Sequence, residues 1–175
     1  MDERTGEAFA NDERLTVVGR KLQQGQMAPD FYLEYLDLIE MTIHSTRLAD
    51  SAGMVRLLSV VNSLERPVCH RQTRCWEELS ASLPAGVCIY TISSDLPDAQ
   101  ARWQAREGVI HQTLSAHQDE QFGLAYGVWI KEWQRLQRSV FVIDRVGRLV
   151  YAEYVADQMG DPDYDAAVEA ACKLL

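Results

Sequence analysis

The sequence has 175 residues, 47% of them hydrophobic, and a formal net charge of −9 at pH 7. This length and hydrophobic share predict one domain over residues 1–175 with a core of its own, in which residues 1–5 are flexible. The negative charge argues against nucleic acid or an anionic membrane surface as a partner, because both would repel the chain. The start at Met1-Asp2-Glu3-Arg4 is not apolar, and no run approaches the roughly 18 apolar residues of a spanning helix, which predicts a soluble, cytoplasmic protein.

Strands and helices alternate along the chain. Two β-rich runs on either side of Asn11-Asp12 predict an N-terminal hairpin, and the buried strand that follows feeds a helix. In chain order the predicted elements are strands 6–9, 15–18 and 57–61, helix 68–83, strand 87–92, helices 98–106 and 119–126, strands 139–143 and 148–154, and helix 163–174. This order predicts an α/β, thioredoxin-like fold in which helices flank a central mixed β-sheet and a β-hairpin precedes it.

Cys69 stands where the buried strand runs into the first long helix. If Pro67 takes the first helical position, where its missing N–H costs nothing, Arg66 is the N-cap and Cys69 the third helical residue. The free N–H groups and the positive end of the helix dipole then face the sulfur and favour the thiolate. Cys69 is therefore a candidate nucleophile. The alternative is a buried cysteine that serves only as a small apolar side chain.

The stretch Asn62-Ser63-Leu64-Glu65-Arg66-Pro67-Val68-Cys69 resembles the Pro-Ser-Leu-Asp-Thr-Pro-Val-Cys signature of bacterial thiol peroxidases, the atypical two-cysteine branch of the peroxiredoxins. Further matches follow in family order: Ala28-Pro29-Asp30-Phe31, Gln72-Thr73-Arg74, Ser94-Asp95-Leu96-Pro97, Ala99-Gln100, Glu107-Gly108, Tyr126-Gly127-Val128, Arg138, Val142-Ile143-Asp144 and Pro162-Asp163-Tyr164. The resemblance spans nearly the whole chain. It implies reduction of hydrogen peroxide or small organic hydroperoxides at the expense of a thiol, without a cofactor, by a homodimer formed through the face that bears the active-site loops.

Three departures from the family pattern fall on the active-site loop and on the helix of the family's resolving cysteine. Asn62 and Arg66 replace a proline and a threonine, and Asp98 replaces an aromatic residue. Arg102-Trp103-Gln104 stands where the resolving cysteine follows Arg-Phe. With Gln104 at that position, the simplest mechanism has one cysteine. Cys69 is oxidised to sulfenic acid, and an external reductant, a thioredoxin-like protein or a low-molecular-weight thiol, reduces it again.

The candidate site residues are Cys69, Arg138, Arg66 and Ser63. Arg138 matches the family's active-site arginine and, with backbone N–H groups, is suited to hold the peroxide. A structural salt bridge is the alternative, because an arginine entering a buried strand is costly unless paired. In the family a threonine hydroxyl in the place of Arg66 contacts thiolate and peroxide. Arg66 either replaces that donor or turns to solvent, and Ser63 is a candidate substitute.

The remaining cysteines have weaker claims. Cys75 lies six residues beyond Cys69, which on an intact helix means about 9 Å of rise, more than the roughly 7 Å Cα limit of a disulfide. Another peroxiredoxin branch unwinds this helix to use a resolver five residues on, so Cys75 stays an alternative. Cys88 predicts core packing, and Cys172 near the chain end is a less favoured resolver. The absence of a Cys-x-x-Cys pair argues against a dithiol oxidoreductase and suits a reducing compartment.

His111 and His117 lack a third ligand at metal spacing, so no metal is expected. Two functions stay open from the sequence. One is a thiol peroxidase working through Cys69. The other is a catalytically degenerate peroxiredoxin-like module that senses oxidants or binds a partner without turnover.

Overall fold

The computed structural model describes residues 1–175. Its strands are β1 (Glu3–Ala10), β2 (Glu13–Val18), β3 (Tyr32–Leu36), β4 (Ile43–Arg47), β5 (Val55–Val60), β6 (Val87–Ser93), β7 (Gln112–Ser115), β8 (Trp129–Ile130), β9 (Arg135–Leu136), β10 (Ser139–Ile143) and β11 (Leu149–Tyr154). Its α-helices are α1 (Pro67–Ser80), α2 (Pro97–Glu107), α3 (Gln121–Ala125) and α4 (Tyr164–Cys172), and a short 3-10 helix spans Leu48–Ser51.

The central sheet has seven strands in the order β11-β10-β5-β6-β7-β3-β4. Strands β5, β6 and β7 run parallel, and the outer strands pair antiparallel, so the sheet is mixed. Every residue of β5 is buried, as expected for a central strand covered on both faces. The predicted thioredoxin-like fold, with helices flanking a mixed sheet, is confirmed.

Side chains that alternate along β5 divide the interior into two cores. Leu58 and Val60 face a core that α3 closes with Phe122, whereas Val55 and Leu57 face the other side of the sheet. On that second side lie Trp76 of α1, Ala167 and Ala171 of α4, and Val140 and Val142 of β10. This packing holds α1 against the sheet and fixes the position of its first turn.

The N-terminal hairpin belongs to a second sheet of four strands, in the order β1-β2-β8-β9. Strand β1 begins at Glu3, earlier than the predicted start at residue 6. The segment expected to be flexible therefore pairs with β2 from Glu3 onward, where Glu3 lies opposite Val18. The reason is Arg4, whose guanidinium donates to the carbonyls of Gly19 and Gly127. A side chain thus fastens the start of the chain to the body of the domain.

Three strands of the central sheet, β3, β4 and β7, were not predicted. Strand β4 is the sheet edge and alternates exposed with half-exposed residues, without a buried side that would give an apolar period. Strand β7 has four residues, Gln-Thr-Leu-Ser, of which one is strongly apolar. No helix is long and apolar enough to span a lipid bilayer, and no three His, Cys, Asp or Glu side chains are grouped so as to hold a metal ion.

Candidate active site

Cys69 is the third residue of α1, as predicted. Arg66 is the N-cap in an extended conformation, Pro67 is in the first turn, and the N–H of His70 donates to the carbonyl of Arg66 at 2.9 Å. The backbone N–H groups of the first turn have no acceptor within the helix. The Cys69 side chain is fully buried, with its Sγ 3.9 Å from Oδ1 of Asn62. It belongs to an apolar cluster with Val61, Leu64, Trp103 and Val109.

Arg138 reaches the sulfur from the start of β10. Its Nη2 donates to Sγ of Cys69 at 3.2 Å and to the carbonyl of Gln158 at 3.0 Å, and its Nη1 donates to Oε1 of Gln72. Arg138 is fully buried and forms no salt bridge, so the structural ion pair considered for it is absent. Among its acceptors, the Cys69 sulfur is the one that can carry negative charge. A buried cation without a counter-charge is costly, so the 3.2 Å contact with the sulfur is the feature of Arg138 that bears most on the chemistry of the site.

A buried set of amide side chains holds Arg138 in place. Gln72 accepts from Arg138 and donates its Nε2 to Oγ of Ser59 at 2.8 Å. Gln158 accepts on Oε1 from the backbone N–H of Arg138 at 2.8 Å and from Nδ2 of Asn62 at 3.1 Å. Asn62, one of the departures from the family pattern, therefore belongs to this network. We call these residues, together with Cys69, the buried floor of the site.

The Arg66 side chain is not directed toward the buried residues around the Cys69 sulfur. It is exposed, makes no side-chain hydrogen bond to cap the helix, and places its Cζ 4.3 Å from the ring centroid of Trp133, a cation–π contact. Trp133 in turn donates its Nε1 to the carboxylate of Glu13, at 3.2 and 3.3 Å to the two oxygens. The side chain considered either as a replacement donor or as a solvent-facing group thus lies on an aromatic ring. We call Arg66, Trp133 and Glu13 the rim.

Ser63 fastens the active-site loop to its neighbour. Its hydroxyl donates to Oδ1 of Asp95 at 2.7 Å, and Oδ2 of the same carboxylate accepts from the backbone N–H of Leu64 at 2.8 Å and from the hydroxyl of Ser93 at 2.7 Å. The hydroxyl considered as a substitute for the family's threonine is therefore engaged with Asp95.

Comparison with known proteins adds independent findings. The family model described as Redoxin matches residues 23–168. The thiol peroxidase of Bacillus subtilis is 44% identical over 162 residues, which cover 92% of this chain and 93% of that protein. The thiol peroxidase of Listeria monocytogenes is 46% identical over 160 residues, covering 91% and 93%. The chain belongs to the thiol peroxidases of the redoxin family.

Solved structures agree with this assignment. A peroxiredoxin-like protein from Aquifex aeolicus superposes with a TM-score of 0.84 at 26% identity, covering 98% of both chains. The thiol peroxidase from Chromobacterium violaceum has the same fold, with a TM-score of 0.82 at 22% identity over 95% of this chain and 94% of that one.

Gln104, which the sequence resemblance puts in the place of the resolving cysteine, is buried in α2. Its Nε2 donates to the carbonyl of His111 at 2.8 Å, and its Oε1 accepts from the hydroxyl of Thr113 at 2.8 Å. Both bonds tie α2 to β7 and the segment just before it. The other helix departure, Asp98, is exposed and pairs with Arg102 at 2.9 Å, which lowers the pKa of the Asp98 carboxyl.

All four cysteines of this thiol peroxidase are free. Cys75 lies on the same unbroken helix as Cys69 and is half-buried, and Cys172 is exposed near the end of α4. Cys88 is half-buried in β6, where burial raises the pKa of its thiol. None of these three shares the contacts with Arg138 that distinguish Cys69.

Two cavities of the protein, of about 810 and 340 Å³, have no residue of the buried floor or the rim in their lining. The larger is lined by residues of β3 and α3, including Tyr32 and Phe122, and the smaller by residues of β6 such as Cys88 and Tyr90. Cys69 lines neither cavity.

The sequence pointed to Cys69 and Arg138, and the structure brings these two together. In the structure the Arg66 side chain contacts the Trp133 ring, and the Ser63 hydroxyl donates to Asp95. Sequence reasoning missed the roles of Gln72 and Gln158 in holding Arg138, because glutamine is usually a surface residue. The match at Gln72 to the thiol peroxidase pattern was the available signal for one of them.

Proposed function

We propose that this thiol-dependent peroxidase uses Cys69 as its nucleophile and Arg138 as the group that stabilises developing negative charge. The observation that carries the proposal is the 3.2 Å contact between Arg138 Nη2 and Cys69 Sγ, made by a fully buried cation without a carboxylate partner. Cys69 also lies in the first turn of α1, where the helix dipole and the free N–H groups favour negative charge.

In the proposed reaction the thiolate sulfur of Cys69 attacks the terminal oxygen of a hydroperoxide. The S–O bond forms as the O–O bond breaks, and the other oxygen leaves as hydroxide or alkoxide and takes a proton from water. Arg138 and the backbone N–H groups of Val68 and Cys69 are the donors available to the oxygens as charge develops. Cys69 ends as a sulfenic acid, and the peroxide as water or an alcohol.

The proposal includes a one-cysteine cycle, because the resemblance to thiol peroxidases puts Gln104 where those proteins have a resolving cysteine. An external thiol attacks the sulfenic sulfur and releases water, leaving a mixed disulfide. A second thiol attacks this disulfide, which frees Cys69 and releases the oxidised donor. The donor is a thioredoxin-like protein or a low-molecular-weight thiol.

Peroxide consumption with dithiothreitol as reductant tests the nucleophile. We expect turnover in the wild type and in Cys172→Ser, whose thiol is exposed and remote in sequence, and none in Cys69→Ser. Circular dichroism of each variant checks the fold. Turnover that persists in folded Cys69→Ser would refute the assignment.

Dimedone trapping tests the one-cysteine cycle. After a brief exposure to hydrogen peroxide, mass spectrometry should find the dimedone adduct on Cys69. Cys75→Ser should give the same adduct. A dominant disulfide between Cys69 and Cys75 would instead restore a two-cysteine cycle.

A sensor that is oxidised once is the second candidate, and Gln104 together with the complete burial of Cys69 favours it. The two functions differ in turnover. A peroxidase consumes many equivalents of peroxide per protein while thiol is present, whereas a sensor consumes about one per Cys69 and then stops.

We further propose a homodimer in the cytoplasm. The dimer rests on the resemblance to thiol peroxidases, and the compartment rests on the four free cysteines. Sedimentation equilibrium measures the dimer directly, and a monomer across the micromolar range would contradict it.

A further inference from the structure

We propose that Arg66, held by Trp133, binds the carboxylate of a carboxylate-bearing organic hydroperoxide at the entrance to Cys69. The inference rests on the proposed peroxidase function and assigns it a preferred substrate class. Under this proposal the rim selects the substrate, and the buried floor carries out the chemistry.

The first step is the position of Arg66. It is the N-cap of α1, and Cys69 is the third residue of that helix. The two side chains therefore leave the backbone three residues apart, a little under one helical turn. Under the proposal, a hydroperoxide whose carboxylate binds Arg66 spans this separation with an aliphatic spacer.

The second step is the free hydrogen-bonding capacity of Arg66. The guanidinium makes no ion pair, since Glu65 pairs with Arg106 at 3.6 Å and Glu13 accepts from Trp133. Its Cζ lies 4.3 Å from the centroid of the Trp133 ring in a cation–π contact, and the guanidinium has no hydrogen-bond acceptor in the protein. The N–H donors lie in the plane of the group and stay available, in the fork arrangement that matches a carboxylate.

The third step is the fixed geometry of the rim. Trp133 is itself anchored by the hydrogen bond from its Nε1 to Glu13, so the ring under Arg66 belongs to a chain of contacts from β2 to the active-site loop. A long exposed side chain normally loses entropy when it binds a ligand. A guanidinium already in contact with an aromatic ring loses less. Trp133 is thus a positioning residue for Arg66.

The net charge of the molecule disfavours the binding of anions elsewhere on its surface. With a net charge of −9, the protein as a whole repels anions, so an anionic substrate needs a local cation. The buried charge of Arg138 is engaged with Cys69. Arg66 is the exposed cation one turn away.

The test compares 6-hydroperoxyhexanoate with its methyl ester, which has the same spacer but no charge. Stopped-flow measurement of Cys69 oxidation gives a second-order rate constant for each, and their ratio is the readout. We expect the wild type to prefer the acid about five- to tenfold at low ionic strength, with the preference shrinking as salt rises. Arg66→Thr should reverse the preference, because the net charge then acts unopposed. Arg66→Lys should retain part of it.

Two further variants separate position from charge. Arg145→Thr removes an equal charge from an exposed arginine beyond the opposite end of β10, and it should leave the ratio unchanged. Trp133→Phe keeps a ring and should keep most of the ratio, whereas Trp133→Leu should lower it. Equal rate constants for acid and ester in the wild type would overturn the inference, as would an identical loss in Arg145→Thr. Failure of both compounds and of hydrogen peroxide to oxidise Cys69 would instead refute the peroxidase itself.

Discussion

The buried floor and the rim surround the same cysteine but are built in opposite ways. On the floor, Arg138, Gln72 and Asn62 are fully buried, and each is held by side chains that are themselves held. On the rim, Arg66 is exposed and rests on a single aromatic contact. A change on the floor leaves buried polar groups without partners, whereas a change at Arg66 removes only its contact with Trp133. This difference fits the sequence resemblance, in which Arg138 and Cys69 match the family pattern while Arg66 stands in the place of its threonine.

The largest expected effect on the rate constant comes from replacing Arg138 in the buried floor. Arg138→Met should lower the second-order rate constant for hydrogen peroxide by about 10²- to 10³-fold, because it removes the charged donor at the sulfur. Stopped-flow kinetics measures it, and Arg145→Met is the matched control. A loss below about threefold in a folded variant would show that the thiolate depends on the helix alone.

The next largest effect is expected at the rim, where a substitution should raise the rate constant instead of lowering it. Arg66→Thr should raise the rate constant for hydrogen peroxide, which has no carboxylate, by up to about 10²-fold through one restored hydroxyl donor. The threonine should also stabilise α1 by about 1 kcal/mol as an N-cap. Arg66→Ala lacks the hydroxyl and should show neither gain. An equal loss in both variants would make Arg66 a donor to the peroxide itself.

A smaller effect tests whether the floor acts as a unit. Gln72→Met removes the acceptor of Arg138 Nη1 and should lower the rate constant about tenfold by misplacing the guanidinium. In the double variant with Arg138→Met, Gln72→Met should add little, since its effect passes through Arg138. Additive losses would give Gln72 a role independent of Arg138.

The smallest expected effect is on the free energy of unfolding. It involves His111, whose carbonyl accepts a hydrogen bond from Gln104. Burial lowers the pKa of His111, although the neighbouring Glu77 opposes the shift, so the folded protein keeps this imidazole neutral where the unfolded chain binds a proton. The free energy of unfolding should therefore fall as the pH drops below about 6.5, by at most about 1.4 kcal/mol per pH unit. Urea titrations from pH 7 to 5 measure this slope. His111→Gln should flatten the curve, and His44→Gln on the exposed edge strand is the control. An unchanged slope in His111→Gln would assign the dependence to other groups.

The sequence predicted those parts of the fold and site that depend on neighbours along the chain. The proline, the apolar run before it and the spacing to Cys69 identified the helix start, because these effects act within one turn. The partners of Arg66 and Ser63 could not be predicted in this way. Trp133 reaches Arg66 across a large sequence separation, and the direction of Ser63 follows from Asp95 on another loop. Strand β4 escaped prediction because an exposed edge has no buried face to impose an apolar period.

The two hydrogen bonds of Gln104 bear on how long Cys69 stays oxidised. Because they tie α2 to β7, we expect the protein to pass through its catalytic cycle without unwinding that helix or storing oxidation as an internal disulfide. The lifetime of the oxidised cysteine then depends on how often an outside thiol collides with it. Under the proposed cycle, the fraction of oxidised protein at a given peroxide flux becomes a gauge of the surrounding pool of reducing thiols.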